Sequence, residues 1–158
     1  MPTITPFLWF DTQAEEAAKL YTSIFKNSKI GRIARYGAAG PGPKGSVMTV
    51  EFQIEGKSFI ALNGGPRFTF TEAISFVVGC ETQEEIDTLW AQLTADGGKP
   101  SQCGWLKEKF GLSWQVVPNA LGRLMSDPDP EKSKRVMNAL LQMDKLNLSK
   151  LQQAFDGV

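Results

Sequence analysis

One order of elements occurs twice along this chain, and few folds accommodate it. A short β-rich run passes at once into an amphipathic helix opened by Thr-x-x-Glu, and the chain then returns through extended segments. In the first occurrence the run is Ile4 to Phe10, and Thr12 and Glu15 have the N-cap and N3 spacing of a capping box. Ala14, Ala17, Ala18, Tyr21, Ile24 and Phe25 follow at helical spacing, with Glu16, Lys19 and Lys26 away from that stripe. In the second, Ala73 to Val78 is the run, Thr82 and Glu85 form the box, and Ile86, Leu89, Trp90 and Leu93 form the stripe. The boxes lie 70 residues apart and the stripes align at 72, so the repeat is one of architecture rather than of residue identity.

The intervening segments read as strands. After Lys29 to Tyr36 comes the surface loop Gly37 to Gly45, GAAGPGPKG. Ser46 to Ile54 then alternates, with Met48, Val50, Phe52 and Ile54 on one side and Val47, Thr49, Glu51 and Gln53 on the other. Glu55-Gly56 is a two-residue hairpin turn, and Lys57 to Asn63 returns to end at Gly64-Gly65-Pro66. In the second half Gly97-Gly98 stops the helix, and a short strand follows near Lys99 to Ser101. CGWLKEKFGLSWQVVP then reads as a hairpin: strands about Gln102 to Lys107 and Leu112 to Val117, a charged turn at Glu108 to Gly111, and Pro118 ending the ladder. Leu112, Trp114 and Val116 make one face apolar, while Ser113, Gln115 and Val117 make the other mixed. The tail is helical: Asn119 to Met125, a helix capped by Asp129 with Pro130 at its first position, and a last helix capped by Asn147. It is expected to pack on the domain or on a second subunit.

The totals exclude several classes. Seventeen basic residues balance seventeen acidic ones, which argues against charge-driven binding to nucleic acid or a membrane surface. No apolar run reaches the roughly 18 residues of a membrane span, and the N-terminus lacks the form of a secretory signal, so a cytoplasmic location is expected. There is no histidine, which removes Ser-His-Asp and Cys-His chemistry and the commonest transition-metal ligand. Cys80 and Cys103 form no CxxC pair and read as free thiols behaving as small buried hydrophobes.

Two tandem β-α-β-β-β modules resemble the vicinal-oxygen-chelate superfamily of glyoxalase I, bleomycin-resistance proteins and extradiol dioxygenases. ITPFLWFDTQAEEAAKLYTSIF, SVMTVEF, ALNGGPRFTFTEAISFVV and CGWLKEKFGLSWQVVP are similar to the PhnB-like group, which carries the family name 3-demethylubiquinone-9 3-methyltransferase. The resemblance covers about residues 3 to 143. It implies an α+β fold of one domain over 1–158, with module one about 3–65, module two about 72–118 and a tail over 119–158, the sheets curling around a cavity. It further implies that the apolar rows meet the helices while Thr5, Phe7, Trp9, Thr49, Glu51, Ala61, Asn63, Ser75, Ser113 and Gln115 look inward. Members that bind metal place His, Glu or Gln on the first and last strands of each module. By position these ligands fall on Ile4 or Thr5, Asn63, Ala73 or Ser75, and Gln115, a set poor in metal-binding groups, so no metal and no cofactor is expected. The fold also implies a homodimer, with modules often exchanged between subunits.

Within that frame Glu51 is the candidate general base or ligand anchor; its plainer alternative is a solvated carboxylate paired with Lys or Arg. Gln115 could bind a ligand through both its donor and its acceptor, or make a structural bond across the sheet. Phe7, Trp9 and Trp105 could form an aromatic wall, or be core. Thr49 and Asn63 complete the candidate substrate-binding set, whereas Trp90 and Trp114 fall on helix-packing rows. The expected function is a small-molecule cavity protein of the PhnB-like, glyoxalase/bleomycin-resistance type without a divalent metal. Its alternatives are non-catalytic sequestration of an apolar or aromatic compound, and the methyl transfer of the family name. A methyltransferase of Rossmann type would need a parallel sheet with a glycine-rich loop entering a helix, and Gly37 to Gly45 instead precedes a strand.

Overall fold

The computed structural model describes residues 1–158. Contacts group them into two units, Met1–Phe70 and Thr71–Val158. The first holds β1 (Phe7–Phe10), α1 (Ala14–Ile24), β2 (Lys29–Arg35), β3 (Val47–Ile54) and β4 (Lys57–Asn63). The second holds β5 (Ser75–Cys80), α2 (Gln83–Thr94), β6 (Lys99–Pro100), β7 (Trp105–Lys107) and β8 (Ser113–Pro118), followed by α3 (Leu121–Met125), α4 (Pro130–Leu140) and α5 (Leu148–Asp156). Each unit forms one four-stranded sheet, β1-β4-β3-β2 and β5-β8-β7-β6. The first strand of each pairs parallel with the last, and the other pairs are antiparallel. A strand that runs straight into a helix cannot close a hairpin and must re-enter the sheet by a crossover. The α+β architecture of two βαβββ modules and a helical tail follows.

In the first unit Leu8, Phe10, Val50, Phe52 and Ala61 are buried on the side of the sheet that carries α1, as are Ala14, Ala17, Ala18 and Tyr21 of the helix. The alanines let the helix approach closely. Tyr21 lies 6.0 Å from Phe52, whose ring stacks on Phe59 at 5.4 Å. Each large side chain buried this way contributes about 1.5–3 kcal/mol.

Three expectations are corrected here. β1 begins at Phe7, and Ile4 is exposed, although the Pro6 carbonyl still accepts from the Ile60 amide. Thr12 does not cap α1: the N-cap is Gln13, with no bond from its own side chain. Asn63 does this work instead, its Oδ1 accepting from the Ala14 amide at 2.8 Å while its Nδ2 donates to the Val47 carbonyl at 3.2 Å. The reason is register: β4 ends with Asn63 beside Phe10, next to where the helix starts. Ala61 and Asn63 therefore sit on the helix side rather than facing inward. The two-residue turn at Glu55-Gly56 pairs Ile54 with Lys57, Phe52 with Phe59 and Val50 with Ala61, so Ser58, Ile60 and Leu62 occupy the opposite face.

In the second unit β5 starts at Ser75, two residues later than the expected run. Thr82 caps α2 as expected, accepting from the Glu85 amide at 3.2 Å, while the Glu85 carboxylate accepts from the Glu81 amide at 2.8 Å. Ile86 and Leu93 are buried, and α2 packs on β8 and β7, where Leu106, Trp114 and Val116 are buried too. Cys80 is also buried; burial, with Glu85 nearby, pushes its thiol up to about 11, so it stays protonated and inert. The β7–β8 turn buries a carboxylate, although a charged turn residue ordinarily faces solvent. Glu108 is 2% exposed, and its Oε1 accepts from the amides of Phe110 (2.7 Å) and Leu112 (2.9 Å). Gly111 takes the positive φ the turn requires, +91°.

The tail packs on its own unit. Leu124, Val136, Leu146 and Leu151 are fully buried in a cluster of their own. Gln83 of α2 reads the tail backbone twice, Oε1 accepting from Leu148 N (2.7 Å) and Nε2 donating to Leu146 O (2.9 Å). The amides of Cys103 and Gly104, both at positive φ, donate to Met143 (2.7 Å) and Asp144 (2.8 Å). Lys145 pairs with Asp87 at 2.9 Å, and Gln83 together with Lys145 holds that carboxyl below its ordinary range.

Candidate functional site

Each sheet buries one face under its helix and leaves the other uncovered by that helix; these second faces carry most of the candidate residues. In the first unit the face holds Phe7 and Trp9 of β1, Ile60 and Leu62 of β4, and Thr49 and Glu51 of β3, as the strand registers fix. Phe7 is 56% exposed, whereas Trp9 is partly buried and firmly held. Its indole N–H donates to the Gly65 carbonyl at 2.9 Å, and Phe68 meets its ring edge-on at 5.0 Å. A Cβ at Gly64 would lie 2.4 Å from the indole, so the diglycine turn is what lets Trp9 lie there.

Glu51 pairs with Arg32 at 3.1 Å, and both side chains are well solvated. A pair of this kind contributes about 0–1 kcal/mol, so its geometry matches the plainer of the two readings of Glu51. Gly31 and Arg32 sit at a register shift of β2 opposite Glu51, and a Cβ at Gly31 would press on the Glu51 carbonyl at 3.3 Å. A shallow cleft of about 260 Å³ opens there, lined by Thr5, Gly31, Glu51, Gln53, Ser58 and Ile60.

A larger cleft, about 470 Å³, lies at the start of α1 beneath the Gly37–Gly45 loop. Asn63 reaches it, with Gly64, Gly65, Tyr36, Thr12 and Glu15. Tyr36 organises this corner: its hydroxyl donates to the Asn63 carbonyl at 2.6 Å, and a Cβ at Gly42 would strike its ring at 2.4 Å. Gly40 and Gly42 of that loop thus serve close packing on Tyr36. Asn63, engaged with α1 and β3, has its amide committed to structure.

In the second unit the corresponding face holds Ser75 and Val77 of β5, Ser113 and Gln115 of β8, and Trp105 and Lys107 of β7. Gln115 sits at the centre, paired with Trp105 on one side and Val77 on the other. Its Nε2 donates to the Ser75 hydroxyl at 2.9 Å, the bond across the sheet that was its structural alternative; its carbonyl oxygen remains available as an acceptor. Lys107 is paired with Glu72, which holds the Glu72 carboxyl below its ordinary range. A cleft of about 190 Å³ joins Glu72, Lys99, Ser101, Trp105, Lys107 and Ser113. Ser113 is 1% exposed and its hydroxyl has no hydrogen-bond partner, an arrangement that costs about 1–3 kcal/mol in a closed site.

Sequence reasoning missed Lys99, Lys107, Glu72 and Arg32, because ion pairs and neighbours across strands depend on register. It also placed Ala61 and Asn63 on the wrong side of β4, although the two-residue hairpin carried the signal that would have put Ile60 and Leu62 there.

The fold's metal positions do not fit an ion here. Asn63 is turned to α1, Gln115 and Ser75 bond to each other, Thr5 offers only a hydroxyl, and no group of three or more His, Cys, Asp or Glu side chains is placed to hold a metal. Neutral amides and hydroxyls replace the imidazoles and carboxylates that divalent cations require.

Comparison with known proteins agrees with this architecture. The family model described as 3-demethylubiquinone-9 3-methyltransferase matches residues 2–117. The PhnB protein from Bacillus cereus is 40% identical, over 74% of this chain and 99% of its own, with a TM-score of 0.67. A protein from Pseudomonas aeruginosa shares the fold at 19% identity, over 75% of this chain and 98% of its own, TM-score 0.61. So does the genomically encoded fosfomycin resistance protein FosX from Listeria monocytogenes, at 14% identity, over 77% and 96%, TM-score 0.52. A search of curated proteins returned no match. The family match stops before α3, so the helical tail lies beyond it. From the tandem modules, the matched span and the identity to the Bacillus protein, the chain belongs to the 3-demethylubiquinone-9 3-methyltransferase family, as a PhnB-like protein of vicinal-oxygen-chelate fold.

Proposed function

We propose that the protein binds a small molecule against the sheet faces its helices leave uncovered. The observation that carries this is the asymmetry of each sheet. One face is closed by a helix, while the other bears aromatic side chains among polar ones, Trp9 with Thr49 and Glu51 in the first unit, Trp105 with Gln115 in the second. Such surfaces suit a ligand with a planar or apolar body and a few polar contacts. Phe7 contributes a further exposed ring, Asn63 braces the rim at the end of β4, and Glu51 supplies the carboxylate for anchoring or for general base work.

Exposed Phe7 and Val77, 56% and 61% accessible, are large apolar groups that a second copy of the chain would cover, so a homodimer, with or without exchanged modules, belongs to the same reading. No helix is long and apolar enough to cross a membrane, and the reading places the protein in the cytoplasm without a nucleic-acid partner. Methyl transfer, the reaction in the family's description, gains no support from the sheets, neither of which is the parallel doubly wound kind with a phosphate-binding turn.

A thermal-shift panel of aromatic and apolar compounds, with S-adenosylmethionine as a separate arm, tests this. A compound at a hundredfold excess over its dissociation constant stabilises by about 2.7 kcal/mol, a rise of roughly 5–10 °C in Tm for a chain of this size. The shift is expected to shrink in Trp9→Ala or Trp105→Ala. A ligand whose shift survives both substitutions overturns the assignment, and stabilisation by S-adenosylmethionine alone revives methyl transfer.

A further inference from the structure

The uncovered face of the second sheet has a polar row that packing does not explain. Antiparallel pairing sets Lys99 of β6 directly opposite Lys107 of β7, and Lys107 directly opposite Ser113 of β8. Residues opposed in this way project from the same face with close Cβ atoms, and like charges so placed repel. One acid answers two lysines: Glu72 pairs with Lys107, and Lys99 has no acidic partner. At the end of the row Ser113 is buried with an unpartnered hydroxyl. All four line the same cleft, together with Trp105. Its volume of about 190 Å³, set against roughly 30 Å³ for a water in the liquid, leaves space for about six heavy atoms.

We propose that this cleft receives the anionic head of a small molecule, a phosphate or a carboxylate, with Lys99 and Lys107 as its charge partners and the Ser113 hydroxyl as a donor. The oxyanion relieves the repulsion between the lysines and gives Ser113 the acceptor it lacks. Glu72, paired with Lys107, leaves the two lysines and one acid of the site with one net positive charge, enough for a monoanionic head. Trp105 stands beside it to meet the apolar body of the same ligand. The proposal rests on the reading that ligands bind these uncovered faces and adds the chemical class of one end of the ligand.

Amide-detected NMR titration of the full chain with sodium phosphate, and separately with sodium acetate, tests it against sodium chloride at equal ionic strength. Saturable shifts at Lys107, Ser113 and the Trp105 indole are expected with at least one of the two, and the stronger response identifies the head group. Lys99→Ala and Ser113→Ala are each expected to weaken that binding roughly tenfold, the loss of a charge-assisted bond. Lys99→Ala removes one of two repelling charges, so its Tm without added anion is expected to be no lower than that of the parent. Shifts that chloride reproduces, or that both variants retain, overturn the proposal. A compound from the aromatic panel that binds at Trp105 while neither anion saturates removes the anionic head and leaves the broader reading standing. Anion saturation with no panel compound bound does the reverse.

Discussion

The two modules begin their helices in different ways, although each offers the same four-residue signal. In the second, Thr82 and Glu85 close the start of α2 from within the sequence that forms it. In the first, Thr12 and Glu15 stand idle as caps, and a side chain about fifty residues downstream, Asn63, takes the Ala14 amide. One helix start is local and the other is tertiary. The difference arises because β4 delivers an amide to the end of β1, whereas the corresponding strand β8 brings Pro118 beside Cys80. Proline has no amide N–H and a side chain without donors or acceptors, so α2 depends on its own box. A capping motif read from sequence is an offer that a better-placed neighbour can displace.

The contrast can be attacked by substitution. The largest effect is expected at the turn that sets β8 in register. Glu108→Ala leaves the amides of Phe110 and Leu112 without their acceptor, at a cost of about 3 kcal/mol, visible as a lower urea midpoint and faster hydrogen exchange in β7 and β8. Asn63→Ala is expected to cost about 2 kcal/mol by uncapping α1 and releasing the Val47 carbonyl. Asn63→Asp keeps the acceptor for Ala14 and is expected to cost less. An equal loss in both variants would mean that the β3 bond, rather than the cap, matters. Smallest is the pair that compares the modules directly. Thr82→Ala is expected to cost about 1 kcal/mol and Thr12→Ala less than about 0.5 kcal/mol, read by hydrogen exchange in the first turns of α2 and α1. If Thr12→Ala costs as much as Thr82→Ala, the distinction between a local and a tertiary start collapses.

Much of the fold is legible in the chain itself. The strand-helix-strand order, the Glu55-Gly56 hairpin, the caps at Thr82, Asp129 and Asn147, and the positive φ at Gly111 are local, and each occurs where the residues indicate. The candidate site was less legible. Trp9, Thr49, Glu51, Trp105 and Gln115 do lie on the uncovered faces, because alternation along a strand is local. Asn63 does not, because the face of β4 follows from its pairing with β3. Gln115 stands on the expected face, yet its bond to Ser75 joins residues forty positions apart, and no spacing rule connects them. Glu108 has the same lesson at shorter range. A charged turn residue reads as solvated, and only the closed turn shows its carboxylate folded back onto two amides.

By itself the sequence determined which segments are strands or helices, that the order repeats, and that no imidazole is available for catalysis or metal binding. These follow from periodicity, turn residues and composition, which act within a few residues of one another. Tertiary structure decided which cap is used, which row of β4 meets the helix, and that two lysines and a buried serine share one row. Those outcomes depend on strand register, and register is set by the joint packing of elements remote in the chain, where a shift of one residue reverses every side chain.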